Sequence, residues 1–268
     1  MKLIWLTDIH LNFLDSDDRH TFYKSLPECD GILISGDIAE SHNVYDILNE
    51  MQKEIRKPIY FVLGNHDFYG GSIESVKTKY LLCGNPELFY LEYNTPVFQN
   101  SFGLVGCDGF ADARIGDFEN TRIQLNDHYY IEEFNEARIL GKKNLFEVMR
   151  EWADIDAAAL RSSIEILINA KNVTKIKIII VLTHVPPFKE SAYYQRRISD
   201  GDFLPFYTSK ATGDVLLEQA KANPDIKFIV LCGHTHSRAC YQPLDNLTVH
   251  TGEAVYNHPH VQDLIIEV

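Results

Sequence analysis

Residues 227–236 read "KFIVLCGHTH": an apolar run that stops abruptly at a glycine and two histidines one residue apart. Imidazole is awkward to bury, because one ring nitrogen needs a hydrogen-bond partner and the other needs a use. Four other stretches end in the same manner. "KLIWLTDIH" (2–10) finishes in Asp8 and His10, and "GILISGDIAE" (31–40) leads to Asp37. "IYFVLGNHD" (59–67) ends in Asn65, His66 and Asp67, and "IKIIIVLTHVPP" (176–187) leads to His184. Near-continuous Ile, Val and Leu without clean alternation predicts strands buried on both faces. "FGLVGCDGF" (102–110), "LTVHTGEA" (247–254) and "DLIIEV" (263–268) read as further strands.

Helical patterns fill the gaps. "SHNVYDILNEMQKEI" (41–55) opens on a plausible Ser41 cap, and its apolar residues share one face. "NEARILGKKNLFEVMREW" (135–152), "IDAAALRSSIEILINAK" (155–171) and "TGDVLLEQAKAN" (212–223) read as three more helices. Strands alternating with helices indicate an α/β chain around a largely parallel or mixed sheet. Two stretches, about 109–135 and 186–211, lack a clear period and are expected to be long loops, which are often functional. With no repeat, linker or low-complexity tract, residues 1–268 read as one domain with elaborated loops.

Composition narrows the classes. A chain of 268 residues, 45% hydrophobic and 24% charged, can bury a large core and matches ordinary globular proteins. No stretch approaches the roughly 20 apolar residues needed to span a bilayer, and the N-terminal apolar run is too short for a signal peptide. Five scattered cysteines without a CxxC pair argue against a disulfide framework, so the expected compartment is the reducing cytoplasm. A net charge of −13 argues against broad nucleic-acid binding. It allows a small anionic substrate if a local cationic centre reverses the field. Oligomeric state leaves no mark in the sequence.

In open α/β sheets, ligands bind beyond the carboxyl ends of the strands, so five parallel strands would bring their polar ends to one cleft. Two aspartates, an asparagine oxygen and several imidazoles exceed the four ligands of a tetrahedral zinc. They suit two ions about 3.5–4 Å apart, the arrangement of many phosphoryl-transfer hydrolases. Asp37 is the natural shared carboxylate. Two divalent ions would bring four positive charges against two carboxylates, leaving a positive site able to attract a phosphate and acidify a water. Mixed oxygen and nitrogen ligands fit manganese, iron, zinc or cobalt. A mononuclear zinc site using Cys232 or Cys240 competes, but Cys232 sits inside the apolar run and is expected to face the core.

The ordered set D-x-H (8–10), G-D (36–37), G-N-H-D (64–67), a lone histidine (184) and G-H-x-H (233–236) resembles the calcineurin-like metallophosphoesterases. The resemblance implies a four-layer α/β/β/α sandwich: two mixed β-sheets flanked by helices, with a dimetal site at the C-terminal ends of strands. It also implies two divalent or mixed-valence transition-metal ions. One would take Asp8, His10, Asp37 and His236; the other would share Asp37 and add Asn65, His184 and His234. His234 and His236 would then serve one ion each, with Gly233 letting the chain turn before them. His66 is implied as a non-ligand beside the phosphoryl group, and Asp67 is expected to orient that ring and favour its charged form.

The implied reaction is phosphoester hydrolysis through in-line attack by a metal-bridging hydroxide. A small-molecule or nucleotide phosphate, monoester or diester, is the expected substrate. A serine/threonine-type protein phosphatase and a silent binding scaffold of the same fold are the alternatives. "YYQRRISDGDFLPFYTSK" (193–210) could hang over the metals. Arg196, Arg197 and Lys210 would then grip a phosphate, and Tyr193, Tyr194 or Phe206 would stack on a base. Asp112, Arg114 and Asp117 are candidates for another wall. Solvent-facing arginines and aromatics that merely pack the loop are the competing reading.

Overall fold

The structure is a computed structural model, and it describes residues 1–94, 97–98, 102–169, 176–264 and 266–267. The expected residues Ala170, Lys171, Ile265 and Val268 lie outside that description. β1 (Lys2–Leu6), β2 (Gly31–Ser35), β3 (Ile59–Val62) and β4 (Leu88–Tyr90) run parallel in one sheet. β13 (Ile266–Glu267) lies antiparallel against β1. In the second sheet β6 (Phe102–Gly106), β7 (Ile178–Leu182), β10 (Lys227–Cys232) and β12 (Leu247–Thr251) are parallel. β5 (Val97–Phe98) and β11 (Ala239–Leu244) are its antiparallel edges.

Period-two geometry explains the apolar runs, because each strand buries both faces. Leu3, Trp5, Leu33 and Val62 meet Leu104, Ile180, Leu182 and Leu231 between the two sheets. The intervening residues of the first sheet, Ile4, Leu6, Ile34 and Phe61, turn outward beneath helices. Those helices are α1 (Ser16–Ser25), α2 (Val44–Ile55), α3 (Ile73–Cys83), α5 (Glu132–Leu140) and the start of α6 (Lys142–Asn169). The rest of α6 and α8 (Lys210–Ala222) cover Ile179, Val181, Phe228 and Val230 of the second sheet. The result is two mixed sheets face to face with helices outside.

Several local expectations change. Residues 142–169 form one continuous helix rather than two broken near 153, since Ala153, Asp156 and Ala157 continue the buried face. The break comes earlier, at Gly141, whose φ of 122° a side chain would resist. Asn43, not Ser41, occupies the N-cap position of α2, and its side chain accepts from the Glu40 amide. α1 and α3 each bury few residues: Phe22 and Tyr23 in α1, and Ile73, Val76 and Lys77 in α3. The 109–135 stretch contains α4 (Asp127–Tyr130) and the start of α5. The 186–211 stretch contains α7 (Leu204–Tyr207) and a hairpin of β8 (Tyr193–Tyr194) with β9 (Arg197–Ile198). Gln195 and Arg196 both have positive φ, 49° and 66°, as a two-residue type I′ turn requires.

Behind the sheet ends lies a buried ionic hub. Lys77 Nζ of α3 is 2.8 Å from Glu92, 3.0 Å from Asp156 and 3.2 Å from Asp108. The Tyr90 hydroxyl lies 2.5 Å from Asp108 and 2.8 Å from Glu92, within reach of either carboxylate, and the Gly109 amide donates to Asp156. Burial and the neighbouring carboxylates push Asp108 and Asp156 up, while Lys77 pulls them down. Among the described residues, no helix is long and apolar enough to cross a membrane.

Candidate metal centre

All five runs deliver their polar ends to one place, and backbone hydrogen bonds lace those ends together. The Asp8 amide donates to Gly36, the His10 amide to Asp37, and the Gly233 amide to His184. Asp8, His10, Asp37, His234 and His236 all adopt left-handed backbone conformations, with φ between 41° and 70°. Such residues are uncommon outside glycine, and their clustering at one site marks strain held by the surrounding fold. Each turns the chain out of its strand, so the side chains project past the sheet instead of onto a face.

Gly233 serves a different purpose from the one expected. Its φ is not positive, and the turn is made by His234 and His236 themselves. A Cβ at Gly233 would lie 2.0 Å from Asp8 Oδ2, so the position must be bare for that carboxylate to come close. Gly64 does the same for Asp37, whose Oδ1 would be 2.2 Å from an added Cβ.

Asp8, His10, Asp37 and His236 bring four ligand atoms within 4.8 Å of one another. His10 Nε2 is 3.3 Å from His236 Nε2 and 3.7 Å from Asp37 Oδ2, and His236 Nε2 is 3.3 Å from Asp8 Oδ1. A second group lies on the other side of Asp37. His184 Nε2 is 3.4 Å from Asp37 Oδ1 and 3.0 Å from Asn65 Oδ1, and His234 Nδ1 is 2.9 Å from the same Asn65 oxygen. The two oxygens of Asp37 therefore face different donor sets. His234 and His236 diverge, one to each side.

Outer partners select which atoms point inward. His184 donates through Nδ1 to the Ser35 carbonyl, which leaves Nε2 for the site. His234 donates through Nε2 to the Phe206 carbonyl, which leaves Nδ1. Asn65 donates its amide hydrogens to Asp127 and Tyr69, turning its oxygen towards the two histidines. Asp127 Oδ1 also accepts from the Tyr69 hydroxyl at 2.5 Å. Such partners fix ligand orientation in metal sites. Sequence reasoning missed Asp127, since it lies 62 residues from Asn65 in a stretch without a motif.

The electrostatics call for cations. Burial raises Asp8, but the hydrogen bond and charge of His236 outweigh it and hold the carboxyl at about 2. Asp37 is held well below the usual carboxylate range because His184, His66 and His10 overcome its burial. Burial lowers His10 to about 4, the neutral form a ligand needs. Burial also opposes charge on His184, yet the Asp37 and Asp8 carboxylates lift it to about 10. A divalent cation would answer the same carboxylates and free the imidazole lone pairs, so the donor chemistry fits two ions that share Asp37.

Asp67 and His66 do not pair. Asp67 is fully buried and accepts from the backbone amides of Ile38, Ala39 and Gly64, tying the loop after β2 to the loop after β3. Burial and the Asp37 charge push it up to about 7. The His66 ring stacks on Tyr69, centroids 4.3 Å apart, and meets His10 edge-on at 4.6 Å. Its Nδ1 is buried without a hydrogen-bond partner among the described residues. Stacking, rather than a carboxylate, sets this ring.

The expected basic grip is elsewhere. Arg196 and Arg197 are exposed on the β8–β9 hairpin, and Lys210 pairs with Asp214; none lines the cavity over the site. Tyr194 does line it, whereas Tyr193 does not and Phe206 is buried, using its carbonyl for His234. Arg114 is occupied by Asp112 and Asp154, and the wall from that stretch is Leu125, Asn126 and Asp127. Cys232 packs in the core beneath the helices, Cys240 is exposed, and neither joins the converging ligand atoms.

Residues 1–238 match the model of the calcineurin-like phosphoesterases, and the chain belongs to that family. The family implies a dinuclear metal centre. No curated protein matches the sequence significantly. Among solved structures, the fold is similar to the phosphopantetheinyl hydrolase of Mycobacterium tuberculosis, with a TM-score of 0.62 and 14% identity over 94% of this chain and 89% of that one. It is also similar to a dimetal phosphatase from Danio rerio, with a TM-score of 0.50 and 13% identity over 94% and 87% of the two chains. At identities this low the likeness shows the fold alone.

Proposed function

We propose that this chain is a dinuclear-metal phosphoester hydrolase acting on a small-molecule or nucleotide phosphate. One observation carries the reading: Asp37 turns one oxygen to His10 and the other to His184, as a carboxylate shared by two ions would. Asp8, His10, Asp37 and His236 would hold one ion, and Asp37, Asn65, His184 and His234 the other. When bound, the ions supply Lewis acidity for the phosphoryl oxygens and acidify a water to the nucleophile. Family membership supports the reaction, and the similar folds carry the names of a phosphopantetheinyl hydrolase and a dimetal phosphatase, both hydrolases.

His66 lines the same cavity and would donate to the phosphoryl group or the leaving oxygen. Its Gln variant is expected to keep two ions while kcat falls about 10²–10⁴-fold, the usual scale for a lost acid–base group. Metal analysis and steady-state rates on para-nitrophenyl phosphate and bis(para-nitrophenyl) phosphate check this. A His66→Gln enzyme of wild-type rate would refute the role.

Asp127→Ala should weaken the ion on the Asn65 side about ten- to hundredfold, because the amide loses its orienting acceptor. Chelator competition followed by metal counting reads the change. Equal loss of both ions, or of neither, contradicts it.

A further inference from the structure

A cavity of about 360 Å³ opens over the candidate ligands, and Tyr69, Tyr194, Tyr207 and Tyr256 are among the residues that line it. These rings are packed onto the site. Tyr256 lies 4.6 Å from His10 and 5.0 Å from His236, ring centroid to ring centroid. Tyr207 is 5.4 Å from His234, and Tyr69 stacks on His66. Among the described residues the hydroxyls of Tyr194, Tyr207 and Tyr256 make no hydrogen bond within the protein, leaving them available to a ligand.

Among the described residues, the cavity lining contains no lysine or arginine, and its one carboxylate outside the candidate ligand set is Asp127. Arg122, Arg138 and Lys142 line a separate cavity, where Arg138 and Lys142 are already bonded to backbone carbonyls. Arg197 pairs with Tyr194 across the hairpin but does not line the wall. The described lining thus brings no lysine or arginine charge to the cavity away from the candidate ligands. Tyrosine faces attract flat π-systems and cations; their hydroxyls can hydrogen-bond an anion but bring no counter-charge to it. A second phosphate or a carboxylate placed there would be desolvated opposite Asp127 without a counter-charge.

We propose that this cavity takes the organic part of a phosphoester bearing one phosphoryl group and no further anion, its organic part flat and aromatic or cationic. The inference rests on the phosphoesterase reading and narrows it. It disfavours bisphosphates and nucleoside polyphosphates. A nucleoside and an alkylammonium alcohol share the required chemistry, a non-anionic group that a tyrosine face can cover.

The test uses manganese-loaded protein and nitrophenolate release from three diesters: the para-nitrophenyl ester of thymidylate, its 3′-phosphorylated form, and para-nitrophenyl phosphorylcholine. The extra phosphate is expected to raise KM by about tenfold or more, the cost of an unpaired anion used as discrimination. Tyr256→Leu and Tyr207→Leu should raise KM for the other two esters by about three- to tenfold and narrow their advantage over the phosphorylated ester. The lower KM of those two tells whether stacking or cation–π contact leads. Calorimetric binding of the 5′-methylenephosphonate analogue of thymidylate, with and without a 3′-O-carboxymethyl group, should give the same order, since neither ligand carries a hydrolysable phosphoester. Equal or better use of the 3′-phosphorylated ester, or tyrosine variants that leave KM unmoved, overturns the inference while the phosphoesterase reading stands. If no ester is hydrolysed, para-nitrophenyl phosphate included, that reading fails and the inference fails with it.

Discussion

Asp37→Asn should leave a folded protein that holds fewer than two metal ions and hydrolyses phosphoesters about a thousandfold more slowly, or worse. The asparagine keeps an oxygen for the His66 amide, which Asp37 now binds at 2.9 Å, so the loop after β3 keeps its anchor. It cannot present two anionic oxygens, one towards His10 and one towards His184. Both donor sets are weakened at once, and with them the charge stabilisation that dominates such catalysis. Metal counting, a denaturation midpoint and kcat/KM on an aryl phosphate separate lost metal from a lost fold. A variant with two ions and wild-type turnover would show that Asp37 is not shared.

Lys77→Met is expected to cost about 3–5 kcal/mol of stability, the scale for removing one partner of a buried ionic cluster. Glu92, Asp108 and Asp156 would remain around an apolar side chain of similar length. The loss should also depend on pH. Burial and mutual repulsion already raise Asp108 and Asp156, and removing the cation raises them further in the folded state. A raised folded pKa contributes stability below the unfolded value and loses it as pH rises through the folded one. The deficit is therefore smallest in acid and grows towards neutral pH. Urea denaturation at two pH values checks this, and a deficit that shrinks as pH rises contradicts it.

The ligand candidates were legible because each stands at the end of an apolar run, and a run's end is a local property of the chain. Asp8, His10, Asp37, Asn65, His184, His234 and His236 all lie within a few residues of a strand terminus. The Lys77 hub left no such mark: its carboxylates come from positions 92, 108 and 156, on elements brought together only by packing. Adjacency in sequence suggests that Asp67 orients His66. Its side chain instead reaches back to amides at 38 and 39, which adjacency cannot reveal.

By itself the sequence determined the sheet-forming runs, their buried faces and the order in which metal-binding side chains leave them. Strand burial and strand ends depend on residues a few positions apart, so a linear reading captures them. Only the tertiary structure decided which imidazole nitrogen faces inward, which acceptor turns Asn65, and what lines the cavity above. Ser35 and His184 are 149 residues apart, and Asn65 and Asp127 are 62 apart. Those choices follow from hydrogen-bond geometry between distant segments, and that geometry exists once the two sheets have closed face to face.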